Sequence, residues 1–434
     1  MGARRGELLR RGAGLALVGS VFGILLALQA CLQTQETRPA TPATTRLSSP
    51  DALTGFFAAL DGLDSHRASG IVRILQLGDS HTANDAFSGH MRERLQARFG
   101  GAGRGWMPAG IPFKYYRPQL VSVSESGWQH YRPADRDAGV PLGLDAIDAQ
   151  SVPPDSVMAI DSGEAAGFDR FAVEYLARPS GSAFTVQIDG GVPMRVSTAS
   201  ANGAIRRFEL PLDRPAHHAE LRASGRPPVD LLGWAVERRA PGIVYENHGT
   251  IGATVDLLGR LTPAAVSFEL DERRPALLIV AFGTNEGFDE TLDAARYAAR
   301  FHGLVAALQH QAPGASVLVL GPPDGNRIGH GCTAASCRSG EAGGNDCAWH
   351  EPATLGPVRE AQRRLAEQQG WAYWDWFGAM GGQCSIDRLF ARDPPLAAPD
   401  HVHLTKAGYV AVADMLFADL IAEYDKWRAR RGIG

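Results

Sequence analysis

The chain has 434 residues, 44% of them hydrophobic and 21% charged, enough for two or three domains around a large core and too apolar for more than local disorder. Its formal net charge is −4, and without residues 1–31, which hold four Arg and one Glu, 39 basic residues face 46 acidic ones. That balance excludes the basic footprint of a nucleic-acid binder.

The first segment has the layout of an export signal. Arg4, Arg5, Arg10 and Arg11 precede an uncharged run from Gly12 to Ala30, which closes at Cys31 in "LLALQAC". Residues 1–31 therefore resemble a bacterial lipoprotein signal whose cysteine is lipidated, or else form an uncleaved anchor, since about 19 apolar residues just span a bilayer. Both readings place the rest outside the cytoplasm, in the periplasm and tethered to a membrane. Residues 32–50, rich in Thr, Pro, Ser and Ala, read as a flexible tether.

The folded part begins with a helical segment at 51–63. "IVRILQL" (71–77) is a strand of branched residues ending in "GDSH" (78–81). A helix follows, with Phe87, Met91, Leu95 and Phe99 on one line, Arg92, Arg94 and Arg98 off it, and a stop at Gly100–Gly101. "GAGRG" (101–105) follows a helix rather than a strand, so it reads as a turn and not as a nucleotide loop. From 111 to 240 helical periodicity gives way to short alternating runs such as "FAVEYLA" and "FTVQIDG". They predict an inserted all-β module, a β-sandwich of about 130 residues. After Pro241 strands and helices alternate again. "PALLIVAFGTNE" and "ASVLVLGPP" are buried parallel strands, "WAYWDWF" (371–377) alternates like a strand, and helices are expected over 357–369 and from Thr405 past Trp427. The domain reading is thus 51–110 and 241–434 for one α/β domain with a mainly parallel sheet, and 111–240 for the insert.

Cys332, Cys337, Cys347 and Cys384 all lie in the last quarter. An even number in an exported chain suggests two disulfides, with three pairings open. The irregular spacing, without a CxxC pair, argues against zinc.

Three separated pieces carry chemistry. "GDSH" and "FGTNE" (282–286) follow strands, and "DHVHL" (400–404) precedes the last helix. In a parallel sheet the carboxyl ends of the strands share one edge, where ligands bind. Ser80 is the candidate nucleophile, His403 its base and Asp400 the carboxylate that fixes the imidazole tautomer. The Ser80 N–H at a helix start and the Asn285 amide are donors for developing negative charge. Singly, each residue has an ordinary reading as a cap or turn former; together, at strand ends, they fit acyl transfer. Asp79, His81, His401 and His403 could in principle gather around a metal, but no further ligand motif supports one.

"LQLGDSH", "NHGTIGAT", "AFGTNE" and "DHVHL" resemble the ordered blocks of the SGNH (GDSL-type) hydrolases. With "FGGAGRGW" and "MGGQC" the resemblance is to the peptidoglycan O-acetylesterases of Gram-negative bacteria, and it covers about residues 70–420. It implies a flavodoxin-like three-layer α/β/α domain with an inserted module resembling a carbohydrate-binding β-sandwich or jelly roll. It implies Ser80, Asp400 and His403 as the triad, and the N–H groups of Ser80 and Gly252 with the Asn285 side chain as the oxyanion hole; Gly249 is the rival to Gly252. His81, Glu286 and His401 are candidates to line the substrate, and Glu286 also to orient the Asn block. No cofactor and no metal are implied. The partner is an acetylated polysaccharide, peptidoglycan first; no protein partner is expected. Three alternatives stay open: another polysaccharide, acetyl transfer to a sugar hydroxyl, and an idle cell-wall-binding lipoprotein. The insert reads either as a buttress or as a sugar binder using Trp128, Tyr131 and Trp234, with Trp234 the better candidate for core.

Overall fold

Strand β2 (Ile71–Gly78) explains the architecture. Successive side chains of a strand point to opposite faces. Val72 and Ile74 enter one apolar cluster and Leu75 and Leu77 another, so both faces of the sheet are covered. The computed structural model describes residues 46–67, 70–132, 141–226, 228–329, 336–337 and 349–433. The expected signal at 1–31, with Cys31, lies outside these residues, as do Cys332 and Cys347.

In chain order the central sheet contains β1 (Leu47–Ser48), β2, β3 (Gly242–Gly249), β4 (Leu277–Ala281), β5 (Ser316–Leu320) and β6 (Ala372–Trp374). Its spatial order is β1-β6-β5-β4-β2-β3, with all pairs parallel except β1 with β6. The five parallel strands taken alone follow the flavodoxin order 2-1-3-4-5. β1 shortens the expected tether. Leu47 is buried on the core, and residues 47–48 already pair with β6, because one large apolar side chain suffices to dock an edge strand.

Helices α1 (Thr54–Asp64), α2 (Ser80–Ala83), α3 (Ala86–Phe99), α4 (Pro263–Arg273), α5 (Thr284–Gly287), α6 (Ala294–Gln311), α7 (Leu355–Gln369), α8 (Trp376–Met380), α9 (Ser385–Phe390) and α10 (Lys406–Arg430) complete this domain. α1, α3 and α10 cover one face of the sheet through Phe57, Phe87, Met91, Leu416 and Tyr424. α4, α6 and α7 cover the other through Leu270, Phe301, Val305 and Val358. "WAYWDWF" is only half strand: Asp375 accepts a bond from the Gly378 N–H and caps α8, which ends the extended run.

Between α3 and β3 the chain builds two antiparallel sheets with their own core of Phe171, Val173, Phe184, Leu221 and Trp234. The strands of this module run from Val121 to Glu237. Residues 103–107, which overlap the 101–105 segment read as a turn, form a strand paired antiparallel with Asp230–Glu237. Glycine permits it. A Cβ on Gly105 would stand 2.4 Å from Val244, so only a residue without one lets this strand lie against β3. Trp234 is core, as expected, whereas Trp128 and Tyr131 are half-buried. Among the described residues no helix is long and apolar enough to cross a membrane.

Candidate active site

β2 and β4 are neighbours, but β3, next in the chain after the insert, lies on the far side of β2. The strand order reverses between β2 and β4, and this is where a crevice opens at the carboxyl edge of such a sheet. Ser80 leaves β2 at that point and Asn285 leaves β4. The turn into Ser80 has no room for side chains. A Cβ on Gly78 would meet Thr82 Oγ1 at 2.2 Å and the Ala281 carbonyl at 2.7 Å. Asp79 caps α2 by accepting the His81 N–H at 2.9 Å. Gln76, the one amide in an apolar strand, donates to Thr82 Oγ1 at 2.9 Å and accepts from the Tyr245 hydroxyl at 2.6 Å. Asn247 donates to the Thr82 carbonyl at 2.7 Å. The short helix that begins at Ser80 is thus fixed from both β2 and β3.

Ser80 Oγ lies 2.8 Å from His403 Nε2, and His403 Nδ1 lies 2.7 Å from Asp400 Oδ2. Asp400 Oδ1 also accepts the N–H groups of Val402 and His403 at 3.0 and 2.9 Å. Burial alone would raise the Asp400 carboxyl, but these bonds hold it below its ordinary value. An ionised Asp400 places the imidazole proton on Nδ1 and leaves the Nε2 lone pair facing the serine. The three residues come from two places 323 positions apart. The His403 and Asp400 side chains remain 36% and 51% exposed, so the site is open to a large substrate.

Asn285 Nδ2 donates to the Ala253 carbonyl at 2.8 Å. One of its two amide protons is anchored there and the other remains for a ligand. The same bond joins α5 to the 250–253 turn that contains Gly252. The two glycines of this block differ in their reason for being glycine. Gly252 has φ +74° with open space around it, a left-handed turn position on the exposed surface. Gly249 ends β3, and a Cβ there would stand 2.3 Å from the Ala83 N. Gly252 therefore suits an accessible N–H, and Gly249 suits packing against α2.

The three residues considered as substrate-lining are set back from the surface, with exposures of 2% for His81, 4% for Glu286 and 5% for His401. His81 Nδ1 lies 2.9 Å from the Tyr409 hydroxyl, and its ring packs 5.1 Å from His403 and 5.6 Å from Trp376. Burial, and then the neighbouring His403, push its pKa down to about 3, so it stays neutral. Glu286 Oε1 accepts the Val255 N–H at 2.8 Å and so holds the turn that carries Gly252. Burial pushes its carboxyl up to about 7. His401 bonds Asp387, stacks on Trp349 with ring centres 3.7 Å apart, and accepts the Asn326 N–H on its carbonyl. These are supports of the triad loops. The reason is spatial: each is next in sequence to a more accessible residue, and its own side chain leaves the backbone in a different direction, into the protein.

Sequence reasoning missed Tyr409, Trp376 and Asp387, which hold the two histidines, because they belong to other segments. Asp79, read as a turn former, is buried beneath the nucleophile. Burial pushes its carboxyl up to about 6 against the bonds from His81 and Thr284. Cys337 and Cys384 form a disulfide, which ties the 336–337 segment to the start of α9. Among the described residues the one close group of metal-ligating types is this pair with Asp387, and the S–S bond consumes both thiolates.

Residues 215–411 match the GDSL-like lipase/acylhydrolase family. The span includes Gly252, Asn285, Asp400 and His403 but not Ser80, which the insert separates from them. No curated protein matches the chain in sequence. A solved structure described as a peptidoglycan O-acetylesterase in action is 24% identical, with a TM-score of 0.70 over 88% of this chain and 99% of that one. An acetyl xylan esterase, AlAXEase, matches at 15% identity over 41% of this chain and 80% of its own, with a TM-score of 0.29. A family two carbohydrate esterase from Clostridium thermocellum in complex with cellohexaose matches at 12% identity over 69% and 100%, also with 0.29; neither of these low scores carries weight. Over residues 215–411 the chain carries a GDSL-like lipase/acylhydrolase domain. Its overall fold, inserted β-module included, is that of the peptidoglycan O-acetylesterase structure.

Proposed function

We propose that this protein is an SGNH hydrolase, a serine esterase removing O-acetyl groups from an exported polysaccharide, peptidoglycan first. The observation that carries this is the unbroken chain Ser80–His403–Asp400 at the open switch point of the sheet. Ser80 Oγ attacks the acetyl carbonyl while His403 Nε2 takes its proton. The tetrahedral oxyanion is met by the Ser80 N–H, the Gly252 N–H and the free proton of Asn285. His403 then protonates the departing sugar oxygen. Water, deprotonated by the same imidazole, attacks the acetyl-serine and releases acetate, which restores Ser80. No step requires a cofactor.

Peptidoglycan is proposed because the structure that matches almost end to end is described as acting on it. The disulfide supports an oxidising compartment. With the signal-like segment at 1–31 this favours a periplasmic enzyme, tethered through a lipid on Cys31 or an uncleaved anchor. The test is acetate release from O-acetylated peptidoglycan by the detergent-purified full chain beside Ser80→Ala. Release by the parent alone establishes the reading, and equal release by both removes Ser80 from the mechanism.

A further inference from the structure

A second concavity adjoins the triad. It is a groove of about 280 Å³ whose walls include Asn84, Arg117, Gln119, Leu404, Lys406 and Tyr409. Asn84 ends the helix that Ser80 begins, so about 6 Å of helix separates the groove from the nucleophile. Leu404 follows His403, and Tyr409 bonds His81. The groove is therefore built on the segments that also carry Ser80 and His403.

Its charge is one-sided. Arg117 and Lys406 are exposed, and among the described residues neither meets a carboxylate. Lys114, three residues before Arg117, is likewise exposed, beside Tyr115, which is 72% exposed. In the floor the Asp85 carboxylate is shared by two buried guanidinium groups, Arg92 at 3.0 Å and Arg104 at 3.3 Å. Arg104 keeps two side-chain nitrogens without a hydrogen-bond partner among the described residues. Lys406 is the first residue of α10, where a cation opposes the helix dipole. Helix stability thus gives no reason for a lysine there. Gln119, whose N–H donates to Asp85 at 2.9 Å, and Arg117 belong to the segment leading into the β-module. The insert therefore builds one wall of a cationic groove beside the active site.

We infer that this groove is a subsite for a carboxylate-bearing substituent of the acetylated polysaccharide, held by Arg117 and Lys406. The inference rests on the esterase reading for its substrate, but not for the binding itself. The shared chemistry is a carboxylate close to the acetylated sugar. It has two sources, the free carboxyl groups of peptidoglycan stem peptides and the uronic acids of an acidic polysaccharide.

Binding and turnover test it separately. In a Ser80→Ala background, calorimetry would compare O-acetylated muropeptides with the same fragments after their carboxyl groups are amidated, and with O-acetylated mannuronan oligomers. The inference expects at least one free-carboxylate ligand to bind about tenfold more weakly when Arg117→Ala and Lys406→Ala are added, with amidated fragments indifferent to the change. It also expects the tighter binding to fade as salt rises. Which acid responds identifies the source. Equal binding of free and amidated fragments, or no loss in the double variant for either acid, overturns the subsite. With Ser80 intact, the double variant should raise KM on the responding acid about tenfold and leave hydrolysis of neutral p-nitrophenyl acetate unchanged. A parent chain that binds in this charge-dependent way but releases no acetate would refute the esterase reading and leave the subsite standing.

Discussion

The molecule contains two polar constellations of similar size and opposite construction. The triad is half-exposed, linked by two short side-chain hydrogen bonds, and drawn from motifs a few residues long. The other is a buried ionic seam between the α/β domain and the inserted module. There Arg73 of β2 pairs with Glu237 of the insert at 2.5 Å and with Glu246 of β3 at 3.3 Å. Arg273 of α4 reaches Glu246 at 3.1 Å and Glu174 of the insert at 3.5 Å. His248 lies 2.7 Å from Asp145. Burial would lower His248, but Asp145 and Glu246 push it up to about 9, so it is charged. Burial would likewise raise Glu246, yet the bond from His248 and the guanidinium groups of Arg273 and Arg73 hold it at about 2. By strength of perturbation alone the seam would outrank the triad as a functional site. Geometry decides otherwise. The seam's charges are ion-paired with one another and closed to solvent, whereas the triad ends at an accessible oxygen beside donors with a proton to spare. Strongly shifted titration marks burial of charge, and only access turns it into chemistry.

Four substitutions would break or sharpen this contrast. The largest effect is expected at the triad. Ser80→Ala should lower kcat by about 10³-fold or more with the unfolding midpoint in urea unchanged; a loss of stability of more than ~1 kcal/mol would make Ser80 part of the framework instead. Arg73→Ala is the converse. It leaves Glu237 and Glu246 buried without their shared partner and should cost about 3–5 kcal/mol in urea unfolding. The acetylesterase activity of whatever remains folded should be close to the parent's. Next comes Asn285→Ala, with kcat lower by about 10²–10³ at nearly constant KM, as the loss of one oxyanion donor predicts. A rise in KM alone would demote the side chain to a substrate contact.

Glu286→Gln should act least and depends on pH. A carboxyl held up at about 7 in the folded protein, against 4.5 as its ordinary value, keeps its proton longer folded than unfolded. The folded state then binds more protons, so stability is lost as pH rises from about 4.5 through 7. Glutamine keeps the acceptor for Val255 and removes that titration. The variant should match the parent at pH 4 and be more stable at pH 8, by up to ~3 kcal/mol in urea titrations. A constant difference at both pH values would show that Glu286 does not titrate in this range.

The sequence determined the motifs of the candidate site and the alternation of elements because both are local. A strand followed by Gly-Asp-Ser, or an Asp three residues before a His, brings its groups together through backbone geometry within one turn. The insert was legible for the same reason, since period-two alternation shows in any short window. Its edge was not. Residues 103–107 become a strand only because the chain's return at 230–237 offers a partner, and pairing across more than a hundred residues leaves no trace in composition. The tertiary structure alone decided which polar side chain faces water. His81 beside Ser80, Glu286 beside Asn285 and His401 beside Asp400 are polar like their neighbours, and their burial is set by Tyr409, Trp376, Val255 and Trp349 arriving from elsewhere. The seam and the cationic groove likewise exist only where distant segments meet. Local order fixes what a residue can do; the packing of remote elements fixes what it can reach.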